Sequence, residues 1–253
     1  MTEKLDIRWL KVTDSTNNRA LEGIPTEKDR TTWAAEFQTA GRGQRGNTWK
    51  SAQAQNLMFS ILLKPDFILA KDQFVISAIV TLGLEKYLKD KGVTSKIKWP
   101  NDIYVCDRKI CGILIEHGIS GEYLSTSVCG IGLNINQREF PKDLPNPTSL
   151  VLELGTDKNY ELKKELETLL SDIFGFYDMA REEYLKTGKY ESIYKEYLNR
   201  LYRKGEWHHY TETATGKTVE AKITGIDNTA CLILEYRDRQ CKSFAFKEIS
   251  YII

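Results

Sequence analysis

The segment Gly41–Gly46 reads GRGQRG, with glycines at the spacing of a dinucleotide-binding turn. What flanks it constrains the fold. Before it stands TTWAAEFQ, apolar and weakly alternating, which predicts a strand. After it stands NTWKSAQAQN, which lacks the 3.6-residue apolar period of a Rossmann helix. Nor does an acidic residue end a second strand at the distance a ribose partner requires. The loop must therefore hold an anion without a helix end behind it. Glycines let the backbone approach an anion and turn N–H groups towards it. Arg42 and Arg45 supply the charge, as bidentate donors. Such a loop is expected to be mobile when empty and to order over a small anionic substrate or a polyphosphate. Alone, the motif reads no better than a surface turn with solvated charges.

The rest of the chain alternates apolar runs with helical stretches. NLMFSILLKP, from Asn56, predicts a buried strand closed by Pro65, and SKIKWP another closed by Pro100. Between them DQFVISAIVTLGLEKYLKDKG has helical spacing, with Gly92 as its stop. DIYVCDRKICGILIEHG reads as a hairpin, two β-rich runs about a polar Asp-Arg-Lys turn. EYLSTSVCGIGLNIN predicts a further strand, and the Pro- and Asn-rich stretch from Asn136 to Ser149 a loop. Leu162, Leu166, Leu169 and Ile173 share one face of an amphipathic helix, and YESIYKEYLNRL reads as another helix. After Leu201 the texture changes. KTVEAKITGI, ACLILEYRD and QCKSFAFKEI are short runs separated by turn residues, as in a small barrel or sandwich. The expected organisation is α+β: a mixed sheet flanked by helices over residues 1–201, then a small β unit over 202–253.

Charge bounds the partners. Lys and Arg number 36 against 35 Asp and Glu, a net charge of +1, so nothing in the balance calls for nucleic acid or a membrane surface. Anion binding must come from local placement. No stretch has the length of a signal peptide core or a membrane span, and a cytoplasmic protein is expected. Cys106, Cys111, Cys129, Cys231 and Cys241 form no Cys-x-x-Cys pair and read as reduced core residues. His117, His208 and His209 have no metal-ligand spacing to them, so no protein-held metal is expected.

A second cluster lies in KIKWPNDIYV, which offers Lys98, Trp99, Asn101 and Asp102; the hairpin turn carries Lys109 towards it. Lys109 alone reads as a solvated turn lysine, and Asp102 equally as a turn carboxylate or a functional acid. Beside the basic glycine loop they make an unusually charged pocket for a near-neutral chain. There is no Gly-x-Ser-x-Gly and no cysteine beside a histidine. The nucleophiles must then come from the substrates, with the protein supplying charge, position and exclusion of water. Nucleotidyl transfer to a carboxylate fits that description.

TDSTNNRA, EFQTAGRGQRGNTW, KWPNDIYV, DRKICGILIE and GIGLNIN stand in this order and at these separations in biotin protein ligases. The chain resembles that family from about Thr13 to Leu150, and more loosely through the C-terminal β unit. The resemblance implies a class II synthetase-like catalytic fold with an SH3-like barrel behind it. It implies that biotin's carboxylate attacks the α-phosphate of Mg2+-ATP, giving biotinyl-5′-AMP, and that a lysine of a biotin carboxyl carrier protein then takes the biotinyl group. By position, Ser15, Thr16, Asn17 and Gln38 would bind the biotin ureido ring, with Ser15 or Thr16 also capping a helix. Gly41, Arg42, Gly43 and Gly112 would surround the biotin carboxylate. Arg45, Trp49, Lys98, Leu114, Gly132 and Asn134 would serve ATP and the adenylate. Lys109 would stabilise charge in both transfers, with Arg42, and Asp102 would orient or deprotonate the incoming lysine. With the strand at Trp33 reached so early, no N-terminal DNA-binding domain is expected. A monomer or homodimer that does not bind DNA is expected. The alternatives are a lipoate–protein ligase of the same fold and a non-catalytic binding module.

Two positions depart from the family pattern. Gln44 stands where an arginine is common in the Gly-Arg-Gly-Arg loop, and Asn47 where some members carry a basic residue. Gln keeps hydrogen bonding but removes a charge, which should cost grip on the adenylate without abolishing activity. Gln44→Arg is therefore expected to slow release of biotinyl-AMP; a release rate that does not slow would count against this assignment.

Overall fold

A computed structural model describes residues 4–253, the side chain of Arg45 excepted. The chain runs β1 (Ile7–Thr13), α1 (Thr16–Gly23), β2 (Thr31–Gln38), β3 (Leu57–Leu63), α2 (Phe74–Asp90), β4 (Lys96–Lys98), β5 (Asp102–Val105), β6 (Arg108–Ser120) and β7 (Tyr123–Leu133). Then come α3 (Leu150–Leu154), α4 (Leu162–Thr187), α5 (Glu191–Asn199) and five strands, β8 (Trp207–Glu212), β9 (Lys217–Ile226), β10 (Leu232–Tyr236), β11 (Cys241–Phe244) and β12 (Ile249–Tyr251).

The first seven strands form one sheet in the order β1-β2-β3-β7-β6-β5-β4. β1 is parallel to β2, and the other neighbours are antiparallel. The sheet is thus mixed, as expected. Alternation along its central strands sorts two faces. Leu57, Phe59, Ile61 and Leu63 of β3 and Cys129, Ile131 and Leu133 of β7 join the main core with α2, α4 and α5. The even-numbered residues face the other way, where Leu62 and Val128 pack with Trp33 under Ala20 of α1. α1 is too short to cover that face, so the rest of it is free to build a site.

α2 is apolar nearly all round and is buried along most of its length, as a helix sandwiched between sheet and second helix must be. It meets α4 at Gly83, where an added Cβ would lie 2.6 Å from Cγ1 of Ile173. Leu166, Leu169 and Ile173 of α4 are fully buried, and Leu162 packs at the margin.

The last five strands form a separate antiparallel sheet, β11-β10-β9-β8-β12. Three of them are the short runs expected from the sequence; β8 and β12 were not among those runs. The intervening segment is hydrogen-bonded on both sides. Ile97 of β4 donates to the Arg200 carbonyl at 2.8 Å and accepts from Tyr202 N at 2.9 Å, while Gly205 N donates to Ile223 of β9 at 2.9 Å. Cysteines depart from expectation: Cys111 and Cys129 are buried, but Cys106 and Cys241 are exposed. Among the described residues, no helix is long and apolar enough to cross a membrane.

Because the Gly83 contact leaves no room for a methyl group, Gly83→Ala should cost about 1–3 kcal/mol by overpacking. A lowered urea midpoint with an unchanged slope would show it.

Candidate active site

Strand register draws the floor. Pairing ties Ala35, Met58, Gly132, Gly112, Asp102 and Lys98 into one row across the sheet, from β2 to β4. Its centre, Gly132 beside Gly112, has no side chains, which opens a slot. The indole of Trp49 lies in it: a Cβ on Gly132 would be 2.3 Å from Trp49 Cε2, and one on Gly112 3.0 Å from Cζ3. Gly130, one step along the same face, makes room for Asn17, whose Oδ1 would be 1.9 Å from an added Cβ. GIGLNIN held that signal, since Gly130 and Gly132 are two apart on a strand and so share a face.

Lys109 reaches this face through an irregularity. In β5 and β6, Ile103 pairs with Cys111 but Tyr104 pairs with Lys109, so Ile110 is an extra residue. Ile110 and Cys111 both turn into the main core. This β-bulge flips Lys109 to the cavity side, with its Nζ within 3.1 Å of where a Gly112 Cβ would be. Lys109 is therefore not in the hairpin turn, as the sequence reading had it; the turn is Cys106–Asp107 and Lys109 is on the strand. Its Nζ donates to Asp102 Oδ2 at 2.7 Å.

At the other end of the cavity stands a polar group around the start of α1. Thr16 N donates to Gln38 Oε1 at 2.7 Å. Ser60 Oγ, fully buried on β3, lies 2.7 Å from Thr16 Oγ1 and 2.6 Å from Asn17 Oδ1. Ser15 is at the N-cap of α1 and lines the cavity, but its side chain makes no capping bond. Ser60 was not singled out from the sequence, although it is the one polar residue in LMFSILL.

The glycine loop folds as a small antiparallel tongue. Trp49 N donates to Gly41 O at 3.0 Å and Gly43 N to Asn47 O at 2.7 Å, and Arg42 pairs with Thr48. A side chain at Gly41 would collide with the Trp49 carbonyl, 2.5 Å from its Cβ. Gln44 Oε1 and Trp49 Nε1 are buried, and neither has a hydrogen-bond partner among the described residues. Of Arg45 only the backbone is described, so its expected contact lies outside the described residues.

Lys98 and the C-terminal sheet close the remaining side. The Lys98 ammonium sits 4.6 Å from the Tyr104 ring centroid and 4.9 Å from that of Tyr251, a cation–π cage. Burial holds Lys98 below the ordinary lysine range; Asp102 opposes that shift, while Lys109 and Arg203 reinforce it. Phe246, Lys247, Ile249, Ser250 and Tyr251 line the cavity. Trp99 ties this wall down, its Nε1 donating to Ala230 O at 3.0 Å. The part of the C-terminal unit in the site was not legible beforehand.

The result is a cavity of about 420 Å³. It brings together Ser15, Thr16, Asn17, Gln38, Arg42 and Gly43 from the first part of the chain. From the rest it adds Trp49, Lys98, Asp102, Lys109, Gly112, Leu114 and Gly132. Gly41 lines an adjoining pocket with Arg42 and Gly43. Asn134 stands apart: it is buried and donates to Thr148 O at 2.9 Å, bracing the chain before α3. Among the described residues, no group of three or more His, Cys, Asp or Glu side chains could hold a metal ion.

Residues 9–134, which carry nearly all of this cavity outside its C-terminal wall, match the biotin/lipoate A/B protein ligase family. Those residues form a domain of that family. Curated relatives of this ligase family domain include the bifunctional ligase/repressor BirA of Bacillus subtilis, 30% identical over 87% of the chain and 63% of the relative. The biotin–[acetyl-CoA-carboxylase] ligase of Paracoccus denitrificans is 28% identical over 88% of the chain and 91% of the relative. The chain spans about half to two thirds of the bifunctional relatives. Among solved structures, the biotin protein ligase of Aquifex aeolicus in complex with biotin and ATP superposes with a TM-score of 0.78, 25% identity and 97% coverage of both chains. The α+β architecture with its small C-terminal sheet is that of the ligase family.

A methyl group on Gly132 cannot coexist with the Trp49 indole. Gly132→Ala is expected to expel the ring and shift tryptophan emission to the red, and the shift should vanish in a Trp49→Phe background.

Proposed function

We propose that the protein attaches biotin to a lysine of a biotin carboxyl carrier domain, using ATP and passing through biotinyl-5′-AMP. The observation that carries this reading is the convergence of two cations from separate elements, Arg42 and Lys109, on a cavity with a bare glycine floor and a polar far end. The names of the Paracoccus denitrificans and Aquifex aeolicus proteins support biotin over lipoate.

In this reading Ser15, Thr16, Asn17 and Gln38 bind the ureido ring. The carboxylate then points towards Lys109 and Arg42, and the nucleotide lies against Trp49, Leu114 and Gly132. A biotin carboxylate oxygen attacks the α-phosphorus, and the bond to the bridging oxygen breaks as pyrophosphate leaves. Two anions must meet, and preorganised positive charge lowers the cost of their approach. Lys98, Lys109, Arg42 and Arg45 supply it. ATP arrives as its Mg2+ complex, whose ligands are chiefly phosphate oxygens and water. Asp102, the carboxylate lining the cavity, fits that partial role. In the second transfer the carrier's lysine amine attacks the acyl carbon, AMP leaves with the bonding electrons, and Asp102 takes the amine's proton. The unit over 1–201 performs the chemistry, and the unit over 202–253 walls the nucleotide side.

Intact-mass analysis of a carrier domain with the protein, Mg2+-ATP and either biotin or lipoate tests this. One biotinyl group should be gained, with biotin only, and Lys109→Ala should lower the rate by roughly 10²–10³-fold. Gain with lipoate would move the reading to the sister activity. No gain with either would favour a non-catalytic module.

A further inference from the structure

Arg42 is already engaged. Its Nη2 donates to Glu116 Oε1 at 2.7 Å and its Nη1 to Glu116 Oε2 at 3.0 Å, a fork-to-carboxylate pair. Nη1 also donates to Asn18 Oδ1 at 3.1 Å. Glu116 Oε2 accepts a third bond, from Asn17 Nδ2 at 2.9 Å. Glu116 lies on β6, opposite Val128 of β7 and on the same face as Gly112 and Leu114. It is the last link in a polar series from Gln38 through Thr16, Ser60 and Asn17 to the loop arginine.

A similar charge pairing occurs twice among the basic residues that line the cavity. Lys109 rests on Asp102, and Arg42 on Glu116. A guanidinium engaged on both nitrogens cannot offer the same edge to a second carboxylate. An anion that takes this edge must therefore displace Glu116. The pair is partly exposed, with 38% of the Arg42 and 29% of the Glu116 side chain accessible, so water and salt can mediate the exchange.

We propose that Glu116 is a positioning residue that stands in for the ligand's anion. It holds Arg42, and through it the 41–49 tongue, against the large sheet, and it gives Arg42 up to a ligand carboxylate or phosphate. A ligand shifts such an equilibrium only by its differential affinity for the two arrangements, so part of its interaction with Arg42 goes into breaking the resident pair. The anion's identity rests on the biotin reading above; the hold on the loop does not.

Glu116→Gln separates the two. Its amide oxygen can still accept from Asn17 Nδ2, but the negative charge and the second acceptor are gone. Hydrogen exchange of the ligand-free protein and calorimetric titration with biotin are compared between wild type and variant. Exchange over residues 41–49 should quicken, while biotin binds about 2–5-fold more tightly, the scale of a partly exposed ion pair. A purely structural glutamate would give the opposite, weaker binding. Unchanged exchange, or quicker exchange without tighter binding, would overturn the proposal. If wild type binds no biotin, the biotin reading fails and the exchange comparison alone decides the hold on the loop. If Glu116→Gln loses protection throughout the large sheet, Glu116→Asp, which withdraws the carboxylate by one methylene, takes its place with the same expected signs.

Discussion

Ile110 is one residue more than β5 can pair with, and the chemistry of the cavity follows from where that surplus is spent. In an unbroken strand, Lys109 would share a face with Cys111 and Ile113 and would point into the main core. Burying an unpaired ammonium there would cost several kcal/mol. Placing two consecutive apolar side chains, Ile110 and Cys111, inward restores the core and frees Lys109 for the other face. From that point the row Gly132–Gly112–Asp102–Lys98 falls into place by hydrogen-bond register alone. The bulge thus reconciles a strand that must be hydrophobic on one side with a site that must be charged on the other.

The second demand on the site is electrostatic. Arg42, Lys98, Lys109 and Lys247 border one cavity in a chain of net charge +1. Three of them have separate partners: a carboxylate for Arg42, another for Lys109, and the Tyr104 hydroxyl and aromatic rings for Lys98. The repulsion between them is met by local neutralisation rather than distance. Under the proposed function, anionic substrates would meet a site whose cations are placed but already balanced, and recognition would be an exchange of partners.

Much of the architecture was legible because apolar periodicity is strong where burial is complete. β3 and α2 are nearly continuous apolar runs, and both stand where LMFSILL and FVISAIVTLGL place them. β1 and β8, the sequences IRWLKVT and WHHYTE, mix polar and aromatic residues because they are only half-buried, and their alternation is faint. The bulge was invisible, since a period of two carries no mark of an inserted residue when Ile110 and Cys111 are both apolar. In the site, glycines and charged motifs announced themselves. Glu116 and Tyr251 did not. Glu116 closes an ordinary strand run, and Tyr251 comes to Lys98 from the opposite end of the chain by a path only the fold defines. Asn134 lies inside a telling motif, and its Nδ2 donates to the backbone at Thr148 while its Oδ1 is buried without a hydrogen-bond partner among the described residues.

The segment between Arg200 and Gly205 leaves little slack. Its backbone is stitched to β4 on one side and to β9 on the other, while Trp99 is pinned to Ala230. The C-terminal sheet is therefore a fixed wall, because swinging it outward would break main-chain hydrogen bonds beside Lys98. The tongue from Gly41 to Trp49, by contrast, meets the large sheet, among its described side chains, through the Arg42 guanidinium and the Trp49 indole. Traffic into and out of the cavity accordingly runs past the tongue. In the proposed function the wall would shape what is admitted, and the tongue would govern how long it stays.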